Sequence, residues 1–126
     1  MDGKKRIGLV LTVALAFFFI VPNGLGKVLG IMGTDVEAMA AMFGYSAGFM
    51  KTIGGLELLG GIGLLLPQTR KLAALGLVGL MLGAIVTHFR VPETMGMLPM
   101  PILTTVALLA ALKLTGGAAV APAVGD

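Results

Sequence analysis

Residues 54–64, GGLELLGGIGL, decide how this chain folds. They lie within an apolar segment of residues 48–66, which approaches the roughly 20 residues needed to cross a bilayer. Gly54, Glu57 and Gly61 are three and four residues apart, so a helix places them on one face. Glycines on a membrane helix allow a neighbouring helix to approach closely. The stretch therefore predicts a transmembrane helix that turns this face into a bundle.

The composition of the whole chain agrees with a membrane location. Only 12% of the 126 residues are charged, whereas soluble domains average roughly 25%. Polar side chains are therefore too few to cover the surface of a soluble protein. The net charge of +3 does not indicate nucleic-acid binding, because the basic residues are scattered at the ends of apolar segments. The absence of cysteine from the sequence excludes disulfides, iron–sulfur clusters and thiolate metal sites.

Apolar segments along the chain predict an all-α fold, an integral membrane four-helix bundle in a single domain of residues 1–126. The expected spans are residues 7–33, 48–66, 72–88 and 99–115, followed by a disordered tail of residues 116–126. Pro22 is expected to kink the first helix or to end its regular part. Thr34 or Asp35 is expected to cap a short interfacial helix before the second span, with an ordinary loop as the alternative.

The distribution of lysine and arginine predicts the orientation. One side of the bundle would hold Lys4, Lys5, Arg6, Arg70, Lys71 and Lys113, and the other would hold Lys27, Lys51 and Arg90. This bias predicts that both termini are cytoplasmic. The basic start and first apolar run also resemble a signal peptide. No small-x-small cleavage site follows, so we expect the first helix to be retained.

Polar side chains in or near the spans are the candidates for function, since a charge at mid-bilayer costs about 2.5–3.5 kcal/mol. The candidate ligand-binding residues, all expected in the outer half of the bundle, are Asn23, Lys27, Lys51, Glu57, His88 and Arg90. We expect Glu57 to pair with Lys27 or, failing that, with Lys51. In a purely structural interpretation this pair makes insertion tolerable, while Lys51 and Arg90 reach lipid headgroups. No metal site is expected.

A functional interpretation makes these residues the polar head of a pocket. The glycines at positions 54, 61, 79 and 83 remove side-chain volume, which predicts a cavity open to the outer leaflet. Its expected apolar lining is Phe17, Phe18, Phe19, Met50 and Met81. A quinone suits such a site because its ring oxygens need donors and its tail needs lipid. The competing expectation is that the glycines let the helices pack tightly and leave no cavity.

Four stretches of sequence carry a resemblance to a known family. They are RI at residues 6–7 leading to GLGKV at 24–28, GGLELLGGIGL at 54–64, TRKLAALGL at 69–77, and MLGAIVTH at 81–88. In these stretches the chain resembles the DoxX-like family of small four-helix bacterial membrane proteins. The resemblance implies a location in a bacterial inner (plasma) membrane. It also implies an accessory protein that binds a quinone or a similar lipophilic molecule in support of a membrane redox or stress-response partner.

Two other functions stay open beside this one. The first is a membrane-protein assembly factor, or scaffold, without ligand chemistry. The second is an enzyme or carrier for a small lipophilic substrate, acting through Glu57 and Lys27. The sequence contains no recognisable catalytic motif, and a bound quinone is the one cofactor that the resemblance suggests. G-x-x-x-G spacings at residues 26–30, 44–48 and 79–83 indicate helix packing, within the chain or in a homo-oligomer.

Overall fold

The computed structural model describes residues 2–116 and residue 118, and all regular structure in this part of the chain is helical. The first helical rod consists of α1 (Gly3–Phe18), a π-helical segment (Phe19–Leu25) and α2 (Gly26–Leu29). It is followed by α3 (Val36–Phe43), α4 (Ala47–Leu65), α5 (Arg70–Arg90), a 3-10 segment (Pro92–Met97) and α6 (Pro99–Thr115). The predicted all-α class is confirmed. Of the predicted disordered tail, residues 117 and 119–126 lie outside the described residues.

Three helical stretches are long and apolar enough to cross a membrane: Gly3–Leu29, Ala47–Leu65 and Arg70–Arg90. Helix α6 is apolar but has only 17 residues, so the fourth span remains a prediction. Large aliphatic side chains are exposed along all of these helices, among them Ile7, Val10, Leu59, Leu72 and Leu103. An apolar exterior of this extent fits contact with lipid.

The longer helices pack in a cyclic order in which α1 contacts α4 and α6, and α5 contacts the same two helices. Neighbours run antiparallel. Gly54 packs on Lys27 whereas Gly61, farther along α4, packs on the earlier Ala16 and Ile20. Gly8, near the start of α1, meets Leu114 at the end of α6. The two ends of the described chain therefore lie at the same end of the bundle, and which side of the membrane that end faces remains a prediction.

The core lies between these helices and is closely packed. Its buried members are Leu15, Ala16, Phe19, Leu64, Ala74, Leu77, Met81, Leu108 and Ala111. Phe19 from the π-helical segment is completely buried, and the partly buried Phe18 ring contacts it edge-on with 5.3 Å between the ring centroids. Between helices in a bilayer such contacts stabilise the fold through van der Waals packing, because lipid tails are as apolar as these side chains.

The first helical rod departs from its predicted bounds of residues 7–33. It begins at Gly3, where Asp2 caps α1 by accepting the Lys5 N–H at 2.8 Å. It ends at Leu29 because Gly30 takes a left-handed conformation, with φ of 66°, that terminates the helix. The prediction that Pro22 would end or kink the regular helix is met by the π-helical segment, which changes the hydrogen-bond pattern without breaking the rod.

The short helix predicted after the first span is confirmed as α3. The Asp35 carboxylate accepts the Ala38 N–H at 3.0 Å, so Asp35 rather than Thr34 is the cap. The buried Val36 and Ala40 of α3 pack with Met50 of α4 in a small second core. Helix α5 extends two residues beyond each end of the predicted span of residues 72–88, and α6 covers residues 99–115, the range predicted for the fourth span.

Candidate functional site

The Lys27–Glu57 ion pair is the centre of the candidate site, and it confirms the predicted pairing. Lys27 Nζ lies 2.5 Å from Glu57 Oε1, and the two side chains are 13% and 1% exposed. Lys51, the other partner considered for Glu57, is exposed on the surface of α4. A buried carboxylate and an ammonium group therefore meet between α2 and α4, where each reduces the cost of desolvating the other.

The glycines of α4 bring the two charged residues together. A Cβ atom added at Gly54 would lie 2.5 Å from the Lys27 Cβ and 3.2 Å from the Gly24 carbonyl oxygen. Two turns of α4 later, a Cβ at Gly61 would lie 2.7 Å from Ile20 Cγ1. The backbone of the first rod therefore fills the space that both glycines leave. The prediction that Gly54, Glu57 and Gly61 face the bundle interior is confirmed.

The expectation that Gly54 and Gly61 leave a cavity is wrong, since the competing outcome of tight helix packing holds at both positions. The expectation is also wrong for α5, because Gly79 and Gly83 face outward with no atom within 4 Å of an added Cβ. Of the expected lining residues, Phe17 is 62% exposed, while Phe19 and Met81 belong to the packed core. Two open grooves lie on the outside of the bundle, one between α4 and α5 and one between the ends of α1 and α6.

The Asn23 side chain forms a hydrogen bond with the backbone at the start of the π-helical segment. Its side-chain Nδ2 donates to the Phe18 carbonyl oxygen at 2.9 Å. In a regular α-helix this carbonyl would accept the N–H of residue 22, which proline lacks. The amide of Asn23 thus replaces the donor that Pro22 removes. The close packing of this segment on α4 also requires a glycine at position 24, because a Cβ added there would lie 2.8 Å from the Leu58 Cβ.

His88 belongs to a separate polar cluster at the end of α5. Its Nδ1 lies 2.8 Å from the Thr94 hydroxyl, which donates to the Val91 carbonyl oxygen at 2.7 Å. The Phe43 ring contacts the imidazole edge-on at a centroid distance of 5.5 Å. His88 therefore joins α5 to α3 and the 3-10 segment, and its hydrogen-bond and ring partners come from these elements rather than from the ion pair. Arg90, the last residue of α5, is exposed.

One atom of the ion pair lacks a partner. Glu57 Oε2 is buried, and no donor of the described residues reaches it. Leaving a buried acceptor unsatisfied costs about 1–3 kcal/mol, and more for a charged group. Lys27 carries three N–H donors, of which the Glu57 Oε1 contact uses one. The pair therefore leaves the Glu57 Oε2 acceptor without a donor among the described residues, although Lys27 carries N–H groups beyond the one that Glu57 Oε1 accepts.

Arg70 is a buried charge that the sequence analysis treated as a topology signal alone. Its guanidinium group is 1% exposed, and its Nε donates to the Leu64 carbonyl oxygen at 2.8 Å. Its Nη1 donates to the carbonyl oxygen of Ala118, just beyond α6. Arg70 therefore satisfies carbonyl groups at the C-terminal ends of α4 and α6, where the helix dipoles favour a cation. Its position directly after a short turn was the one sequence signal for this role.

Comparison with known proteins returns a family and no individual relative. No curated protein and no solved structure matches the chain significantly. The model of the DoxX-like family matches residues 10–112, which include the π-helical segment, the ion pair and Arg70. A match over this much of the chain, with apolar helices long enough to span a bilayer, agrees with the resemblance in the sequence. The chain is a membrane protein that belongs to the DoxX-like family.

Proposed function

We propose that this chain is an accessory protein of the bacterial inner membrane that binds a quinone or a similar lipophilic molecule at the Lys27–Glu57 pair, in support of a redox or stress-response partner. The observation that carries the proposal is the buried Glu57 Oε2 atom, which no described residue satisfies. Most buried polar side-chain atoms in proteins have a hydrogen-bond partner, so an unpaired carboxylate oxygen beside Lys27 favours a polar group that binds there.

The chemistry of the pair suits the head of a quinone in either of its stable redox forms. A quinone carbonyl accepts an N–H from Lys27. The hydroxyl of the reduced quinol donates to Glu57 Oε2, the acceptor that lacks a partner. Because Lys27 is the more exposed member of the pair, a ligand head reaches the site from the Lys27 side. The isoprenoid or alkyl tail would lie along the aliphatic exterior of the helices.

Tight packing at Gly54 and Gly61 limits how the ligand is held. The helices leave no ready-made chamber beside these glycines, so a ligand head reaches Glu57 Oε2 only from the Lys27 side, by a shift of the Lys27 side chain. Such a site binds and orients a molecule without supplying a reaction of its own. This is why an accessory role is preferred here to an enzyme or carrier.

The proposal is tested by thermal unfolding of the purified chain in a neutral detergent with a short-chain quinone and its quinol. We expect stabilisation by the quinol, of about 2.7 kcal/mol when its concentration is 100 times the dissociation constant. Glu57→Gln and Lys27→Gln should abolish this gain. The matched controls Glu93→Gln and Lys51→Gln, at exposed positions, should retain it.

Native mass spectrometry of the same samples covers variants that unfold too easily for a melting curve. It reads ligand occupancy directly on whatever fraction remains folded. No occupancy by quinone or quinol in the unmodified protein contradicts the proposal. Equal occupancy in the Glu57→Gln variant and in its Glu93→Gln control would also contradict it, because binding would then not involve the ion pair.

A second candidate function, assembly with other transmembrane helices, is favoured by a different observation. Gly76, Gly79 and Gly83 lie along one side of α5, and an added Cβ at each would meet nothing within 4 Å. In membranes such small-residue faces allow close helix association. The face is unoccupied by the described residues of this chain, so another helix can pack on it. A substitution at Gly79, described in the Discussion, tests this function.

A further inference from the structure

The end of the bundle that carries both described chain ends has an open groove between the start of α1 and the end of α6. Its volume is about 560 Å³, and it is lined by Asp2, Lys4, Lys5, Ala110, Lys113 and Leu114. The helices are in close contact just below it, where a Cβ added at Gly8 would lie 2.7 Å from the Leu114 Cβ. Lys4 lies one turn before Gly8, so the helix directs both toward the same neighbour.

The charges that line this groove are strongly unbalanced. Lys4, Lys5 and Lys113 face a single carboxylate, that of Asp2. The Asp2 carboxylate accepts the Lys5 backbone N–H at 2.8 Å, which fixes it as the cap of α1. As this cap, Asp2 lies at the positive end of the helix dipole, so its charge is directed to the α1 backbone rather than to the lysine ammonium groups. No salt bridge within the described residues involves these three lysines.

The groove also has an apolar side, formed by Ala110 and Leu114 of α6. Both of its helices carry exposed aliphatic side chains nearer the middle of the bundle, including Ile7 and Val10 on α1 and Val106 on α6. A ligand that fills the groove and continues along these helices needs an anionic head and an apolar tail. Basic grooves between helix ends at the membrane surface meet this requirement for anionic lipid headgroups.

We propose that the groove between the ends of α1 and α6 binds the phosphate group of an anionic phospholipid, with Lys4, Lys5 and Lys113 as its ligands. The phosphate oxygens accept from the lysine ammonium groups, and the acyl chains pack on the aliphatic surface of the two helices. The site is separate from the Lys27–Glu57 pair and does not depend on the function proposed for it. A lipid held there would tie the first and last helices together at their ends.

The test uses the full chain in a neutral detergent and native mass spectrometry. Phosphatidylglycerol, phosphatidylcholine with the same acyl chains, and inorganic phosphate are titrated separately. We expect phosphatidylglycerol to bind most tightly, since it combines the net negative charge with the tail. Lys113→Gln should weaken its binding about fivefold, as expected for one lysine near the membrane surface, and the triple Lys4, Lys5 and Lys113 to Gln variant should abolish the preference over phosphatidylcholine.

The control variant is Lys71→Gln, which removes an exposed lysine from the same end of the bundle but outside the groove. It should leave phosphatidylglycerol binding unchanged. An equal loss in Lys71→Gln and Lys113→Gln overturns the proposal, because binding would then reflect the overall charge of this end. Equal affinity for phosphatidylcholine, or inorganic phosphate binding as tightly as the lipid, overturns it as well. Melting curves without lipid verify that every variant is folded.

Discussion

Helices α4 and α5 carry glycines at similar helical spacings but use them in opposite ways. On α4, Gly54, Gly60 and Gly61 all lie so close to a neighbouring helix that an added Cβ would come within 2.7 Å of it. On α5, Gly76, Gly79 and Gly83 face open space. A glycine on a membrane helix thus shows that something can approach closely. It does not show whether the approaching group belongs to the same chain.

The difference follows from the position of each helix in the packing order. Helix α4 contacts the first rod on one side, through Gly54 and Gly61, and α5 on the other, through Gly60 and Gly63. Helix α5 turns larger side chains inward, among them Leu77 and Met81, and Leu77 fills the space that Gly60 leaves. In this contact the side chains of α5 insert into the spaces beside the glycines of α4. The glycines of α5 therefore lie on the opposite side of that helix, facing away from the bundle.

Replacing Glu57, the charged residue of the buried α4 face, should have the largest effect on stability. Glu57→Gln leaves Lys27 without its counter-charge, and we expect a loss of about 3 kcal/mol in the free energy of unfolding in detergent. Lys27→Gln should cost at least as much, because Glu57 is the more deeply buried partner. The double variant should recover part of the loss, which thermal or denaturant unfolding would show as a coupling energy.

Glu93→Gln and Lys51→Gln, at exposed positions, form the matched control cycle and should show no coupling. Additive losses in the Glu57 and Lys27 cycle would contradict the ion pair as a stabilising contact. The buried face of α4 would then differ from the open face of α5 only in that its glycines are covered by neighbouring helices.

A smaller loss is expected for Gly61→Ala. The new methyl group would lie 3.1 Å from the Ala16 carbonyl oxygen and 2.7 Å from Ile20 Cγ1. A backbone atom cannot move aside as a side chain can, so α4 and the first rod must separate at a cost of about 1–3 kcal/mol. The midpoint of unfolding measures this cost. Gly55→Ala is the control on the same helix, since an added Cβ there meets nothing within 4 Å. An unchanged midpoint for Gly61→Ala would refute the close packing.

The smallest effect on the fold is expected for Gly79→Leu on the open face of α5. Nothing lies within 4 Å of an added Cβ, so the stability of the isolated chain should change by no more than about 0.5 kcal/mol. If the face docks another helix, the bulky side chain should disrupt that association. Because the sequence has no cysteine, a cysteine introduced at the exposed Leu75 reports contact between copies by disulfide cross-linking in membranes.

Loss of the Leu75 cross-link in Gly79→Leu, and its retention in the control Gly55→Leu, would support self-association through the α5 face. A cross-link that forms equally in both variants would show that the glycines of α5 play no part in it. No cross-link even in the otherwise unmodified chain would contradict self-association through this face.

Several features of the candidate site followed directly from the sequence. The spacing of Gly54, Glu57 and Gly61 predicted a buried face, and the shortage of other charges in the spans made Lys27 the expected partner of Glu57. Both predictions are confirmed, because a desolvated charge strongly favours its nearest opposite charge. The predicted convergence of Asn23 and His88 on that pair was not found in their contacts. Each side chain instead forms a hydrogen bond nearby in the chain, Asn23 with the Phe18 carbonyl oxygen and His88 with the Thr94 hydroxyl.

The sequence by itself determined the helical membrane class, the approximate positions of the longer helices and the residues able to form an ion pair. These follow from hydropathy and the cost of a lone charge, which depend on the residues themselves. Only the tertiary structure decided that four glycines of α4, at positions 54, 60, 61 and 63, are covered while Gly76, Gly79 and Gly83 of α5 are not. It also decided that Asp35 rather than Thr34 caps α3, and that Arg70 binds the carbonyl oxygens of Leu64 and Ala118. Periodicity defines the faces of a helix, but the rotation that brings one face inward depends on the volumes of the neighbouring side chains.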